Sequence, residues 1–490
     1  MRSITEPQLA RLLGDWPGPP GRGSGRAAGP GYVRLAAQVR ALLLDARLPA
    51  GVRLPAERRL ASTLGLSRTT IAAAYRLLRE EGYLASRQGS GSVTALPPGR
   101  LRRYSPWVPA VPDDEDAIDL ALASPEACPD VPAAMSAAIE LLPAYLHGHG
   151  YDSYGLPVLR EAVARRFTER GLPTGPDQIF VTSGAQHALD LLLRCLASPL
   201  DPVMVENPTY PNTLDALARA RARVVAVGLA PDGWDLDLLT AALRQSLPRL
   251  GYLMPDFHNP AGHLMNGPDR AAVADAAAAA GTRLVIDETF AELALGAPGE
   301  VSRPAPLAAF DPAGQVITIG SMSKAFWAGL RVGWVRADPG LVAQLQAVRS
   351  PSDLASPVVE QLAAAWLLDR ASGLLPARRE LLTGRRDTLA AALARHFPAW
   401  QVRLPAGGLS LWARLEAPVS TALVYAAEQH RLRLVPGPRF GPPGHLERYL
   451  RLPFSLPGPD LAEAVIRLAA AHASLRHATP PFPSAPAQVA

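Results

Sequence analysis

The stretch QVITIGSMSKAFWAGLR, residues 315–331, opens as a short apolar, β-branched run and then changes character. Gln315–Gly320 has the composition and length of a buried strand. It delivers two hydroxyls, Ser321 and Ser323, then Lys324 and, seven residues on, Arg331. Of the 49 basic residues in the 490-residue chain, 48 are arginine and one is lysine, Lys324. A salt bridge or a surface charge tolerates arginine. Condensation with a carbonyl does not, because a guanidinium stays protonated whereas a lysine amine can give up its proton. The single lysine is therefore a candidate for covalent chemistry, against the plain alternative of chance survival on the surface.

Working outward, further strand candidates are Gln178–Thr182, Pro202–Glu206, Arg223–Val227, Gly251–Pro255 and Arg283–Asp287. Most are followed by Ala/Leu-rich helical pattern. From Ile118 to about Ala471 this alternation predicts an α/β body with a mainly parallel sheet. Leu341–Ala394 is largely helical in pattern, and a smaller mixed α+β region follows over Gln401–Leu415, Arg431–Leu434 and Tyr449–Ser455.

The strand ends carry polar residues of ligand type. Gly184, Ala185 and Gln186 open a helix after a strand, where free N–H groups and the helix dipole hold a phosphate. Tyr210 offers a ring for stacking, Asn259 an amide, and Asp287 a carboxylate in the crevice of an open sheet. Ser321, Ser323 and Arg331 suit phosphate, and Arg451 suits a carboxylate taken in bidentate fashion. Taken singly, each also fits a blander role as cap, core ring, turn or surface ion pair. Together with Lys324, a phosphate cradle, a stacking ring and a carboxylate for a pyridinium nitrogen are what pyridoxal 5′-phosphate requires.

The front of the chain differs in charge. Residues 1–103 carry 17 Arg against 6 Asp and Glu, a balance of +11, while the rest carry 32 Lys and Arg against 38 Asp and Glu, a balance of −6. A basic front on an acidic body points to a polyanion partner for the front alone. Leu54–Ser92 reads as helices stopped at Gly65 and Gly82, Ser67 as an N-cap, and a two-stranded wing with RQGSGS at its tip. With the helix from Tyr32, three helices and a wing make a winged helix-turn-helix. Leu54, Leu60, Leu64, Leu66, Ile71, Tyr75, Leu78 and Leu84 are its expected core. Short donors at the start of the third helix suit phosphate contact and base-edge reading.

These residues carry two resemblances. LPAERRLASTLGLSRTTIAAAYRLLREEGYLASRQGSGS, residues 54–92, resembles the DNA-binding domain of GntR-family regulators. That likeness assigns contacts with double-stranded operator DNA to Arg58, Ser67, Arg68, Thr69, Thr70, Gln88 and Gly89. Residues from about Ile118 to Ala471 resemble fold-type I aminotransferases, and the whole chain resembles the MocR subfamily of regulators. The resemblance implies a multidomain chain and a head-to-tail, domain-swapped homodimer. It implies Lys324 as the cofactor-bearing lysine, Asp287 on the pyridinium nitrogen, Tyr210 stacked on the ring and Asn259 on the phenolic oxygen. Gly184, Ala185, Gln186, Ser321, Ser323 and Arg331 would hold the phosphate, Tyr151 would add a contact from the other subunit, and Arg451 would take an amino-acid carboxylate.

The expected organisation is an N-terminal extension over 1–30, the winged helix-turn-helix over 31–94, a Pro-rich linker over 95–117, the aminotransferase-like body over 118–478 and a loose tail over 479–490. One departure bears on chemistry. Phe290 stands where aminotransferases usually place a tyrosine whose phenol donates to the cofactor, and a lost hydrogen bond to a charged oxygen is worth roughly 1.5–3 kcal/mol. Cofactor binding with weakened transamination is expected, with Thr289 as a partial substitute. Three functions remain in view: a regulator that senses pyridoxal phosphate or an amino compound, an active aminotransferase with a DNA tether, and a dimerisation scaffold without cofactor.

Two cysteines, Cys128 and Cys195, argue against a disulfide framework and a cysteine zinc site. His147 and His149 lack a further ligand, so no metal site is expected. The start has no apolar core of a signal peptide and no run is long enough to span a bilayer, so a cytoplasmic setting is expected.

Overall fold

The computed structural model describes residues 3–13, 30–44, 48, 52–87, 91–95, 116–296, 305–442 and 445–478. They fall into two compact units, one within Met1–Ala110 and one within Val111–Thr479.

The first unit contains α1 (Glu6–Leu13), α2 (Gly31–Leu44), α3 (Glu57–Leu64), α4 (Arg68–Glu80), β1 (Leu84–Arg87) and β2 (Gly91–Thr94). α3 stops at Gly65, which takes a left-handed φ of 63° that a side chain would resist. Ser67 caps α4 by accepting from the Thr70 N–H at 3.1 Å. β1 and β2 pair antiparallel, with Leu84 opposite Thr94. Leu35, Val39, Leu60, Ile71, Tyr75 and Leu78 form the core, each almost wholly buried. Leu54 and Leu84 join them, with Leu64 and Leu66 partly buried at the margin. One difference from the sequence reading concerns the extension over 1–30. Leu9 and Leu13 of α1 are buried in this same core, and Ile4 N–H donates to the Arg53 carbonyl. Its apolar stripe is too short to fold alone and is covered by α2 and α3.

The second unit begins at β3 (Ile118–Asp119), α5 (Val131–Leu141) and α6 (Pro157–Glu169). An alternating series follows: β4 (Ile179–Thr182), α7 (Ala185–Leu196), β5 (Pro202–Asn207), α8 (Pro211–Arg219), β6 (Arg223–Ala230), β7 (Gly233–Trp234), α9 (Leu236–Ser246), β8 (Leu250–Leu253), α10 (Gly267–Ala280), β9 (Arg283–Asp287), β10 (Val316–Ser321) and β11 (Gly333–Arg336). These eight strands form one sheet in the order β4-β11-β10-β9-β8-β5-β6-β7. β11 is antiparallel to both neighbours and β7 is antiparallel to β6; the others run parallel. Helices bury apolar faces on both sides, which is why the central strands read as continuous apolar runs.

The sequence reading placed the six strands that run in one direction, β4, β5, β6, β8, β9 and β10, to within a few residues and did not anticipate β11. That strand, Gly-Trp-Val-Arg, is short and carries neither a strong apolar run nor clear alternation.

α11 (Pro339–Arg349), α12 (Val358–Asp369) and the long α13 (Ala371–His396) lead to a smaller α+β layer. It consists of β12 (Gln401–Val402), β13 (Ser410–Arg414), α14 (Ser420–Gln429), β14 (Leu432–Arg433), β15 (Val435–Pro436), β16 (Tyr449–Pro453) and α15 (Gly458–Ala478). β14 pairs with β3 rather than with the four-stranded sheet β12-β13-β16-β15. The expected linker lies outside the described residues over 96–115, as does the expected tail over 479–490.

Candidate functional site

Register across three strands builds the floor of the site. Ser321 at the end of β10 pairs with Gly333, and Gly333 on its other side pairs with Thr182 at the end of β4. The turns Ser183-Gly184 and Ser321-Met322-Ser323-Lys324 therefore leave the sheet side by side. Gly333 is required there, since a Cβ on it would lie 2.7 Å from Gly184 backbone atoms. One strand further on, Asp287 at the end of β9 pairs with Ile319. Strand ends on one edge of an open sheet are where such folds place ligands.

Gly184 precedes α7 with φ 95° and leaves the helix N-terminus bare. Arg331 Nη2 donates to the Ser183 carbonyl at 2.8 Å, and a Cβ on Gly184 would lie 3.0 Å from that same nitrogen. The Ser321 and Ser323 hydroxyls are 2.8 Å apart. Ala185 and Gln186 form the first turn of α7, and Gln186 Oε1 is buried without a hydrogen-bond partner. A helix N-terminus, a guanidinium and paired hydroxyls thus stand at neighbouring strand ends, a set of donors that suits an anion.

The turn is braced from behind. Arg349 is fully buried and donates to the Ser153 and Val181 carbonyls at 3.1 and 2.7 Å. It also holds Asp353 at 2.7 Å, which accepts from Ser183 Oγ at 3.4 Å.

Lys324 Nζ donates to the Ala123 carbonyl at 2.9 Å. Burial pushes its pKa down to about 8, with Arg451 acting in the same direction, Asp287 opposing and Arg331 adding to the decrease. An amine with that pKa is neutral in about a tenth of molecules at pH 7, against roughly one in a few thousand for an ordinary lysine. A lysine amine so placed is able to serve as a nucleophile.

Asp287 is held by three donors: Tyr252 Oη at 2.6 Å, Thr289 N–H at 2.9 Å and the Thr289 hydroxyl. Burial raises its pKa, opposed by these hydrogen bonds and by Lys324. A fixed, poorly solvated carboxylate is a seat for a cation or an N–H.

Tyr210 sits ahead of α8, where its hydroxyl accepts from Asn212 Nδ2 at 3.1 Å. Burial, then the charge of Asp287, pushes it up to about 12. Asn259 is buried, and its Oδ1 has no partner among the described residues.

Arg451 is 1 % exposed, stacks 5.0 Å over Phe440 and donates to the Ala121 carbonyl. Its Nε is buried without a partner, and burial lowers its pKa to about 10. A buried guanidinium with no carboxylate pairing it among the described residues is a seat for an anion.

Lys324, Asp287, Tyr210, Arg331 and Arg451 thus lie within one another's electrostatic reach. One expectation, that for Thr289, looks different in three dimensions. Tyr151 is 63 % exposed and packs on His149. Thr289 spends its hydroxyl on Asp287, so it is no substitute for the phenol missing at Phe290. Phe290 is buried and lines a small cavity with Phe257, Asn259 and Gly407. Tyr252 and Asn212 were not found from sequence; a lone tyrosine inside an apolar strand carries no signal until its hydroxyl has a partner.

In the first unit, Arg58, Ser67, Arg68 and Thr69 are exposed and Thr70 is half-buried. Ser67 Oγ is taken up by capping and lies 2.7 and 2.8 Å from the Thr69 and Thr70 hydroxyls. Gln88 and Gly89 lie outside the described residues.

Comparison with known proteins gives two domain matches. The family model for aminotransferase class I and II matches residues 120–468, and that for bacterial regulatory proteins of the gntR family matches residues 31–93. The chain is 29% identical to the uncharacterized HTH-type transcriptional regulator YdcR of Escherichia coli (strain K12), over 86% of this chain and 94% of that protein. It is 29% identical to the probable rhizopine catabolism regulatory protein MocR of Rhizobium meliloti, over 82% and 85% of the two chains. Among solved structures, LysN, the alpha-aminoadipate aminotransferase of Thermus thermophilus complexed with N-(5′-phosphopyridoxyl)-L-leucine, aligns with a TM-score of 0.68 at 28% identity. That alignment covers 74% of this chain and 94% of the enzyme.

Proposed function

The chain belongs to the class I and II aminotransferase family and carries a gntR-family domain ahead of it, and on that premise we propose that it is a DNA-binding transcription regulator that uses pyridoxal 5′-phosphate to sense an amino compound or the cofactor itself. The observation that carries this reading is the meeting of Lys324, the sole lysine, with Asp287 and the Gly184–Arg331 cradle, in a chain whose front unit folds as a winged helix-turn-helix.

The residues present suit the cofactor. Gln186 Oε1 and Asn259 Oδ1 are buried and unpartnered, and Gly184 keeps open the space that a Cβ would crowd against Arg331. Bound there, the cofactor supplies an electron sink for amine compounds. Gly184, Ala185, Gln186, Ser321, Ser323 and Arg331 hold its phosphate, and Tyr210 covers its ring. Asn259 faces its phenolic oxygen. Asp287, oriented by Tyr252 and Thr289, holds a proton on its ring nitrogen. Lys324 provides the amine for attachment, and Arg451 takes the carboxylate of an amino-acid effector.

Arg58, Arg68, Thr69 and Thr70 contact operator DNA, with Ser67 in the same turn and Gln88 and Gly89 at the wing tip. The reading includes a cytoplasmic, head-to-tail, domain-swapped homodimer in which the exposed Tyr151 reaches the other subunit's phosphate. Effector binding shifts the population between two dimer arrangements that space the DNA-binding units differently, provided that it favours one of them.

The test is DNA affinity with and without pyridoxal 5′-phosphate, for the native chain and Lys324→Ala. A cofactor effect that disappears in Lys324→Ala is expected; equal affinity in all four conditions overturns the sensor. The second reading, an active aminotransferase, is favoured by the presence of Lys324, Asp287, Asn259 and Arg451 together. Turnover of an amino acid with a 2-oxo acid above roughly 1 s⁻¹ would establish it.

A further inference from the structure

Three consecutive backbone carbonyls receive two side chains of the ligand site and a serine that belongs to neither ligand group. Ala121 O accepts from Arg451 Nη2, Leu122 O from Ser455 Oγ at 3.1 Å, and Ala123 O from Lys324 Nζ at 2.9 Å. Among the described residues no backbone N–H donates to any of the three. All three residues lie outside the β-ladder that ends at Asp119.

This segment lies between firm anchors. Upstream, the Asp116 carboxylate accepts from Arg431 at 2.7 Å and its carbonyl from Arg467 at 2.7 Å. β3 pairs with β14, and Leu120 N–H donates to the Arg433 carbonyl at 2.9 Å. Downstream, Arg378 donates to the Glu126 carbonyl at 2.6 Å, and Cys128 N–H to the Phe326 carbonyl at 2.8 Å. Residues 121–123 are thus a short span held by the cofactor lysine, the carboxylate arginine and a serine. In the chain, the span follows directly on the residues that connect back to the DNA-binding unit.

We propose that residues 121–123 form a strap that converts occupancy of the ligand site into loosening of residues 116–124, the first described stretch of the second unit. The proposal rests on the cofactor reading above. When the Lys324 amine condenses with an aldehyde, a carbon–nitrogen double bond forms, the aldehyde carbon–oxygen bond breaks and water leaves with both transferable amine protons. The nitrogen then has no proton for Ala123 O, or a single one directed at the cofactor. A carboxylate on Arg451 likewise competes with the neutral Ala121 carbonyl, and a charge-assisted pair is the stronger bond. Each event withdraws one of three donors. Only the Ser455 bond is untouched by ligand chemistry.

The test is hydrogen exchange of backbone amides over residues 116–124 in the full-length protein, with α10 as an internal control. Visible absorbance reports cofactor loading. Loading with pyridoxal 5′-phosphate alone is expected to speed exchange in this segment about fivefold, the factor that one hydrogen bond of ordinary net strength supplies. Without cofactor, Lys324→Ala is expected to show the same increase, and added cofactor to change nothing further. Ser455→Ala, which touches neither ligand group, is expected to speed exchange while the absorbance of loaded protein stays the same.

Full loading with unchanged exchange overturns the strap. If no absorbance develops, the cofactor reading falls. The strap's contacts then stand if both variants exchange faster and fall if neither does.

Discussion

Tyr252 Oη donates to Asp287 Oδ2 at 2.6 Å, from a buried phenol on β8 to a half-buried carboxylate at the end of β9. The phenol meets the carboxylate from β8 while Thr289 meets it from the chain just beyond β9, so Asp287 presents itself in one orientation. Tyr252→Phe removes one of three donors and leaves a buried acceptor short of a partner, at a cost of about 1–3 kcal/mol. The variant is expected to unfold at lower denaturant and to bind pyridoxal 5′-phosphate more weakly. Its loaded absorbance is expected to titrate at a shifted pH. A fall in stability without any change in the absorbance titration would show that Tyr252 is structural only.

Phe290 lines the same small cavity as Asn259, whose Oδ1 lacks a partner among the described residues. Phe290→Tyr adds a donor on the ring side of the site. If the missing phenol limits amine exchange, the single-turnover rate with an amino acid rises by about 10- to 100-fold, the rate equivalent of roughly 1.5–3 kcal/mol. Stopped-flow absorbance measures it, and an unchanged rate would mean that the restriction lies elsewhere.

The Lys324 amine gives two linked pH expectations. Because only the neutral amine attacks an aldehyde, the rate of cofactor loading is expected to rise about tenfold per pH unit below about 8 and to level off above it. Stability of the cofactor-free protein moves in the same direction. The folded lysine releases its proton near 8 while the unfolded chain holds it to about 10.5, so the unfolded state binds more protons between these values. Stability relative to Lys324→Met therefore rises with pH across that window and is lowest below 8. Loading kinetics and denaturant titrations at several pH values check both.

The Ser67 cap and Arg68 separate folding from recognition. Ser67→Ala removes the acceptor for Thr70 N–H and is expected to destabilise the front unit by about 1 kcal/mol. Arg68→Ala leaves the cap in place and removes an exposed charge at the start of α4. It is expected to weaken DNA binding and to flatten its salt dependence by about one ion. Cofactor absorbance should be the same in both variants.

The sequence by itself determined the two-part architecture and singled out Lys324 as the candidate for covalent chemistry. Apolar periodicity, stop glycines and a basic front end are local signals, and a lone lysine among 48 arginines stands out by composition alone. Local pattern also located the strand ends that bear Gly184, Asp287 and Ser321, because buried parallel strands are apolar until they reach the edge of the sheet. It did not reveal β11, whose place between β4 and β10 depends on pairing with both neighbours. Nor did it show that Tyr252 holds Asp287, that Thr289 is already committed, or that Ala121–Ala123 receive the arginine and the lysine. These contacts join residues from 2 to 330 positions apart. Which donor meets which acceptor was decided only when packing brought those segments together, because a hydrogen bond depends on distance and angle, neither of which is written in the order of residues.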